Sequence, residues 1–412
     1  MLFTIYPINL VKALSLALEL SSGGLSRHHW RTAMIAYRIG EQIDLDAANR
    51  QVLLYATLLH DLGAASNWKE KRKLTSLLVN EDIYTHAEAG YNLLKDSAQF
   101  GALAVPIRHH HDYWNGSSPS GIAGTEIPLI SRIINLADRL EIMMLDNINI
   151  FEEKQRIMAA IQSLNGSYFD PELVSALEEI SQQESFWLDL VNPHYYQNFF
   201  RHIDDVGRMS LNIDDVINIA EIFATVIDST SRFTARHSRG VSIVAQFMAK
   251  NKGYSEAEIK MMRIAGLLHD LGKLAIPNEI LEKPGKLTSA ELAIIKQHPY
   301  YTYRILEQID GFSTIAEWAA FHHETPDGAG YPFRIANRSL RLGSRIIAVA
   351  DVFIALTEDR PYRPGMRQHE VENIMTTMAA NNKLDADIVA DLMIHKAEAF
   401  ELVEHAKMHR VG

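Results

Sequence analysis

Two runs of imidazole and carboxylate side chains stand in the same order along this chain. The first is His28, His60-Asp61, His86, His110-His111 and Asp138; the second is His237, His269-Asp270, His298, His322-His323 and Asp351. The step from the first His to the His-Asp pair is 32 residues in both runs, and the step from His86 or His298 to the paired His is 24 in both. A lone histidine in a helical domain is more often packed or solvated than a ligand, and a His-Asp dipeptide alone says little. Two ordered sets at matched spacing are another matter, because imidazole nitrogens and carboxylate oxygens bind divalent metals. The chain reads as two metal-centred domains of one kind.

In the second run, one metal is assigned His237, His269 and Asp351, and the other His298, His322 and His323. Asp270 bridges them by giving one oxygen to each. Two metals roughly 3.5 to 4 Å apart activate a water between them and stabilise the attacking and leaving oxygens of an in-line displacement at phosphorus. The chemistry so implied is phosphoester hydrolysis. The first run supplies a second metal site from His28, His60, Asp61, His86, His110, His111 and Asp138. His29 competes there with His28, and His109 with the paired His; spacing favours His28, His110 and His111.

The elements that must position these side chains read as helices. RQVLLYATLLHDLG and KMMRIAGLLHDLGK place apolar residues at i, i+3, i+4 and i+7 and end in Gly, a common helix stop. SRIINLADRLEIMM pairs with SRIIAVADVFIALT, and FDPELVSALEEI with LDADIVADLMIH, so the likeness extends from the ligands to the scaffold. No alternating strand pattern is bounded by hairpin turns. The expected class is all-α, two tandem helical domains over residues 1–200 and 201–412. NPHYYQNFFRHIDDVGRMS loses clear periodicity at the boundary, and its aromatic content predicts packing at the domain interface rather than a flexible linker.

Composition excludes several classes. The chain has 412 residues, enough for two or three domains with their own cores, and no cysteine, hence no disulfide framework, thiolate zinc site or cysteine nucleophile. A net charge of −11 with no long basic run argues against a nucleic-acid polymer or an anionic membrane surface as partner. The apolar opening MLFTIYPINLVKALSLALEL has no basic n-region and is interrupted by Pro7, Lys12 and Glu19, so a helix packed on the first domain is expected. The expected location is the cytoplasm.

HDLGK, the Ile-Pro and Lys-Pro-Gly-Lys-Leu-Thr after it, Gln297-His298-Pro299, HHETPDGAGYP and DVFIALTEDRPYR together resemble the HD-GYP family of the HD metal-dependent phosphohydrolase superfamily, over residues from about 220 to 400. The resemblance implies an all-α phosphodiesterase that opens bacterial cyclic dinucleotides, cyclic di-GMP or 3′3′-cyclic GMP-AMP, to linear dinucleotide or mononucleotides. It implies two divalent ions, iron or manganese, held by the seven second-run ligands. It places Lys273 at the scissile phosphate or leaving oxygen, Tyr331 of Gly330-Tyr331-Pro332 in the pocket, and Arg360 and Arg363 on phosphate oxygens. The partner is then a cyclic dinucleotide, with a homodimer allowed. Mononucleotide or guanosine-polyphosphate hydrolysis, and cyclic dinucleotide sensing without turnover, stand as alternatives.

The chain departs from the family pattern at Thr325 (commonly Arg) and at Ile354 (commonly Asp), the latter altering the surroundings of Lys273; Phe233 stands where three-metal members have Glu, and that favours a binuclear centre. The first copy has Ala64 in place of Lys273, NGSSPSGIAGTEIP in place of GYP, and no Arg pair at steps 9 and 12 after Asp138. A metal-bound regulatory domain, a hydrolase of different specificity and a metal-free remnant are its three readings.

Overall fold

The computed structural model describes residues 5–20, 27–64, 83–145, 148–203, 211–230, 236–336, 339–358 and 364–408. Among these the fold is all-α, and β pairing is limited to the isolated bridges Ile5–Leu211 and Asn165–Phe169. The chain divides into two compact units, Tyr6–Ser210 and Leu211–Gly412, and Ile5 belongs with the second.

In the first unit the apolar opening forms the helix Pro7–Leu20, with Leu10, Val11, Leu14 and Leu18 buried. Among the described residues no helix is long and apolar enough to cross a membrane. His28–Gln42, Ala47–Leu58, Ile83–Leu94, Gly101–Arg108 and Leu129–Met143 follow, and their buried faces carry the ligands. Asp46 starts the Ala47–Leu58 helix by accepting from the Asn49 amide at 2.9 Å, which satisfies an otherwise unpaired first-turn donor.

The second unit repeats this order with His237–Asn251, Glu256–Leu268, His298–Leu306, Ser313–Ala320 and Leu342–Thr357. Ser255 and Glu258 form a reciprocal capping box that fixes where Glu256–Leu268 begins. Matched polar ties hold the scaffold in both units. Ser131 Oγ donates to the Pro106 carbonyl and Ser344 Oγ to the Glu317 carbonyl, each at 2.9 Å. Arg132 pairs with Asp170, the N-cap of Pro171–Ser181, and Arg345 with Asp385, the N-cap of Ala386–Ile394. Each arginine therefore ties the helix that carries Asp138 or Asp351 to the second helix after it.

Two expectations need correction. The segment expected to lose periodicity contains a regular helix, Pro193–Ile203, whose Phe199 and Phe200 meet Tyr37 and Trp30 of the first unit edge-on at 5.5 and 5.1 Å. Clustered aromatics masked its period; residues 204–210 lie outside the described set. The glycines of the two HDLG motifs are not helix stops either. The helices end at Leu58 and Leu268, and Gly63 and Gly272 sit in the 3-10 turns beyond.

Candidate metal centres

Helix ends bring the second-unit residues together. His237 opens its helix, His269-Asp270 leave the end of Glu256–Leu268, His298 opens the next helix, His322-His323 follow Ser313–Ala320, and Asp351 lies within Leu342–Thr357. They form two groups of potential ligands, His237, His269 and Asp351 in one and His298, His322 and His323 in the other. Asp270 spans both: Oδ2 is 3.2 Å from His269 Nε2 and 3.9 Å from His237 Nε2, while Oδ1 is 3.3 Å from His298 Nε2 and 3.9 Å from His322 Nε2. His237 Nε2 is 3.1 Å from Asp351 Oδ1.

The tautomers follow from the backbone. The Nδ1 atoms of His269, His298 and His322 lie 2.8, 2.7 and 2.7 Å from the carbonyls three residues back, so each donates there and turns a bare Nε2 inward. The Nδ1 of His237 lies 3.1 Å from Glu358. His269 Nε2 and Asp270 Oδ1 are buried without a hydrogen bond. Lone pairs crowded in a dry site are costly unless a cation lies between them, so these residues fit a pair of divalent ions. Burial opposes ionisation of Asp270, yet the adjacent His269 imidazole and Lys273 ammonium hold its carboxyl well below the usual range. Burial, then neighbouring His298, lowers His323 to about 3, which keeps it in the neutral ligating form.

Lys273 Nζ lies 2.5 Å from Asp270 Oδ2, with its side chain 24% exposed, so it stands at the mouth of the site. Tyr331 stacks on His323 with centroids 4.8 Å apart, and the Lys296 ammonium lies 5.1 Å from the Tyr331 centroid. Its ring therefore braces a candidate ligand. Gly330 is required because a Cβ there would fall 2.5 Å from Glu324 Cα. Thr325 Oγ1 donates to Asp327, and Ile354 is buried against Gly240, so an acid in its place would be taken out of water beside an apolar neighbour. Phe233, Arg360 and Arg363 lie outside the described residues.

Sequence reasoning missed Glu324. Buried beside the His pair, it accepts from the amides of Phe333, Arg334 and Ile335 at 2.7, 3.0 and 2.9 Å and so clamps the loop that carries Tyr331. An acid next to two ligands, in a segment rich in Gly and Pro, was the available signal. Glu324→Gln turns one acceptor into a donor and should cost about 1 to 3 kcal/mol. We expect a lower melting temperature and a raised KM with metal content retained; an unchanged KM would show that the clamp does not position the loop.

The first unit assembles its set equally well. Asp61 Oδ2 is 3.3 Å from His60 Nε2 and 3.7 Å from His28 Nε2, and Oδ1 is 3.3 Å from His86 Nε2. His28 Nε2 is 3.4 Å from Asp138 Oδ1; His86 Nε2 is 3.3 and 3.1 Å from the Nε2 atoms of His110 and His111. Glu141 takes the place of Glu358, bonding His28 Nδ1 and forming an ion pair with Arg31, whose Nε lies 2.9 Å from it. Glu141 follows Asp138 by 3 residues and Glu358 follows Asp351 by 7, so matching the copies residue by residue could not find the pair. Ala64 is buried where Lys273 stands in the second unit. His109 turns to Asp112 at 2.7 Å. His29, which spacing set aside, instead faces the cluster with Nε2 at 3.7 Å from Asp61 Oδ2.

Comparisons with known proteins agree with this doubling. Residues 25–143 match one HD domain family model and residues 221–388 another. The chain is 31% identical to the 3′3′-cGAMP-specific phosphodiesterase 1 of Vibrio cholerae, over 96% of this chain and 93% of that protein. It is 43% identical to the cyclic di-GMP phosphodiesterase response regulator RpfG of Xanthomonas campestris, over 32% of this chain and 35% of that one. A crystal structure of a cyclic GMP-AMP specific phosphodiesterase from Vibrio cholerae superposes with a TM-score of 0.68 at 27% identity, covering 97% of this chain and 98% of that chain.

Proposed function

The chain belongs to the HD-GYP family of HD metal-dependent phosphohydrolases, and from that premise we propose that its second unit opens a bacterial cyclic dinucleotide at a two-metal centre, with 3′3′-cyclic GMP-AMP preferred over cyclic di-GMP. The observation that carries this reading is Asp270, whose two oxygens are divided between two histidine groups while Lys273 stands beside it at the mouth. The order of substrates rests on the relative named for 3′3′-cGAMP aligning over both units, whereas relatives named for cyclic di-GMP align over about a third to a half of the chain.

His237, His269 and Asp351 would hold one ion and His298, His322 and His323 the other, with Asp270 reaching both. When bound, two divalent ions supply Lewis acidity at phosphorus and lower the pKa of water so that it serves as nucleophile. Nitrogen and oxygen donors without sulfur suit iron or manganese. The protein's own part is orientation and charge. Backbone carbonyls fix the imidazole tautomers, and Lys273 offers an ammonium to a phosphoryl oxygen or a proton to the departing 3′ oxygen as its bond to phosphorus breaks. Arg360 and Arg363 are assigned to the remaining phosphate oxygens by family position, since guanidinium forks match them. We place the protein in the cytoplasm, where a cyclic dinucleotide messenger would be met, and take residues 1–200 as a metal-holding regulatory or stabilising domain beside a catalytic domain at 201–412.

Lys273→Met should lower kcat about 10²- to 10³-fold, the scale of losing one charge-stabilising donor, with bound metal unchanged. Equal loss of metal would make the lysine a structural residue instead. The reading as a whole is tested by offering metal-defined protein both cyclic dinucleotides and separating products over time. Linear dinucleotide, formed faster from 3′3′-cyclic GMP-AMP, is expected. Tight binding without product would favour a sensor, and turnover of mononucleotides alone would overturn the substrate class.

A further inference from the structure

His29 is one of the least explained side chains in the molecule. It is 2% exposed, and both ring nitrogens are buried without a hydrogen bond. Leaving a neutral imidazole's N–H and lone pair both unmatched in a dry interior is expensive, so such a group calls for a partner. Its Nε2 points at Asp61 Oδ2, 3.7 Å away, and its ring lies 5.2 Å from those of both His28 and His60. His29, His60 and Asp61 present ligand atoms close enough to share one ion. Metal–nitrogen bonds of about 2.1 Å keep two donors on one ion within about 4.2 Å of each other, a limit that the contact to Asp61 meets.

The second unit does something different at this place. Ser238 follows His237 as His29 follows His28, but its Oγ turns away to Asp228 at 2.7 Å, and Asp228 also accepts from the Ser238 amide. In the first unit Glu19 plays the same anchoring part, accepting from the Arg27 and Trp30 amides at 3.0 and 3.3 Å, and lies 3.9 Å behind His29 Nδ1. The helix start is anchored alike in both units, so the difference lies in the side chain aimed at the cluster. At the bridging carboxylate, the second unit sets an accessible lysine and the first sets a buried imidazole.

We propose that His29 is an additional metal ligand found only in the first unit, joining His60 and Asp61 beside the group of His28, His60 and Asp138. Its imidazole would supply the first unit with a donor that the second unit, with Ser238 turned away, does not have. The first centre is then a closed, retentive metal site that stabilises or regulates, rather than a second hydrolytic centre. This rests on the reading that the first-unit cluster binds metal, and it is independent of what the second unit hydrolyses.

The test uses full-length protein loaded with manganese or cobalt and exposed to EDTA, with bound metal counted over time. Wild type should release metal in two phases, and His29→Ala should speed the slow phase at least about tenfold, the scale on which even supporting groups alter metal affinity. His29→Gln, which keeps a polar side chain of similar reach, guards against misfolding, and thermal unfolding is followed for both. In the cobalt-loaded His269→Ala/Asp270→Ala double variant, visible bands of the remaining centre should change when His29 is also replaced. A slow phase indifferent to both His29 variants would overturn the assignment, as would a double variant that retains no metal. Cyclic dinucleotide hydrolysis, recorded in parallel, reports on the second unit alone, so failure of that reading would be seen separately.

Discussion

Asp270→Asn should reduce hydrolysis of cyclic dinucleotides by at least about 10³-fold, equivalent to roughly 4 kcal/mol at 1.36 kcal/mol per decade. The side chain keeps its size, so the loss would be one of charge and donor chemistry. As a carboxylate, Asp270 sends one oxygen to each histidine group. As an amide it would offer one group a weakly ligating oxygen and the other an NH2 that cannot ligate, in a pocket where the residue is only 3% exposed. We therefore expect bound metal to fall by about two ions per chain along with turnover. Asp61→Asn should cost the same metal from the first unit while hydrolysis continues. The pair of variants assigns catalysis to one unit by subtraction, and full turnover in Asp270→Asn would contradict the proposed function outright.

Much of this was legible in the residues because ligand types at fixed spacing are a chemical signal that survives without coordinates. The division of His237, His269 and Asp351 from His298, His322 and His323 followed from needing two ions and one bridge, and the structure groups the same residues. Helix content was legible from apolar period. The supporting acids were not. Glu141 and Glu358 serve equivalent histidines from different distances along the chain, because each needs only to reach an Nδ1 atom and not to keep a register. His29 was set aside on spacing, yet adjacent helix positions point about 100° apart, so a helix start that faces a crowded cluster can present both. Glu324 was hidden among loop residues whose value lies in backbone amides, which sequence does not display.

Gly272→Ala should be nearly as damaging as loss of a ligand, although no reactive atom is touched. A Cβ at Gly272 would lie 2.0 Å from the His298 carbonyl oxygen and 2.9 Å from the Thr302 amide nitrogen. Both obstacles are backbone, so no flexible side chain can yield. The same contact joins the two ligand segments: the Gly272 amide donates to Thr302 Oγ1 at 2.9 Å, and that hydroxyl donates to the His269 carbonyl at 3.1 Å. Relief of the clash must therefore push His298 away from His269-Asp270, which separates one histidine group from the carboxylate that bridges it. Overpacking of this kind should cost about 3 kcal/mol, and a shift of about 1 Å at the site about 10²-fold in rate. Gly63 would collide with the His86 carbonyl at the same 2.0 Å, so Gly63→Ala should strip metal from the first unit and spare hydrolysis. Metal content and turnover measured on both variants would show whether glycine is kept in each motif to seat two ligand segments on one another. A Gly272→Ala protein with normal metal and normal turnover would mean that the two segments are positioned by something other than this contact.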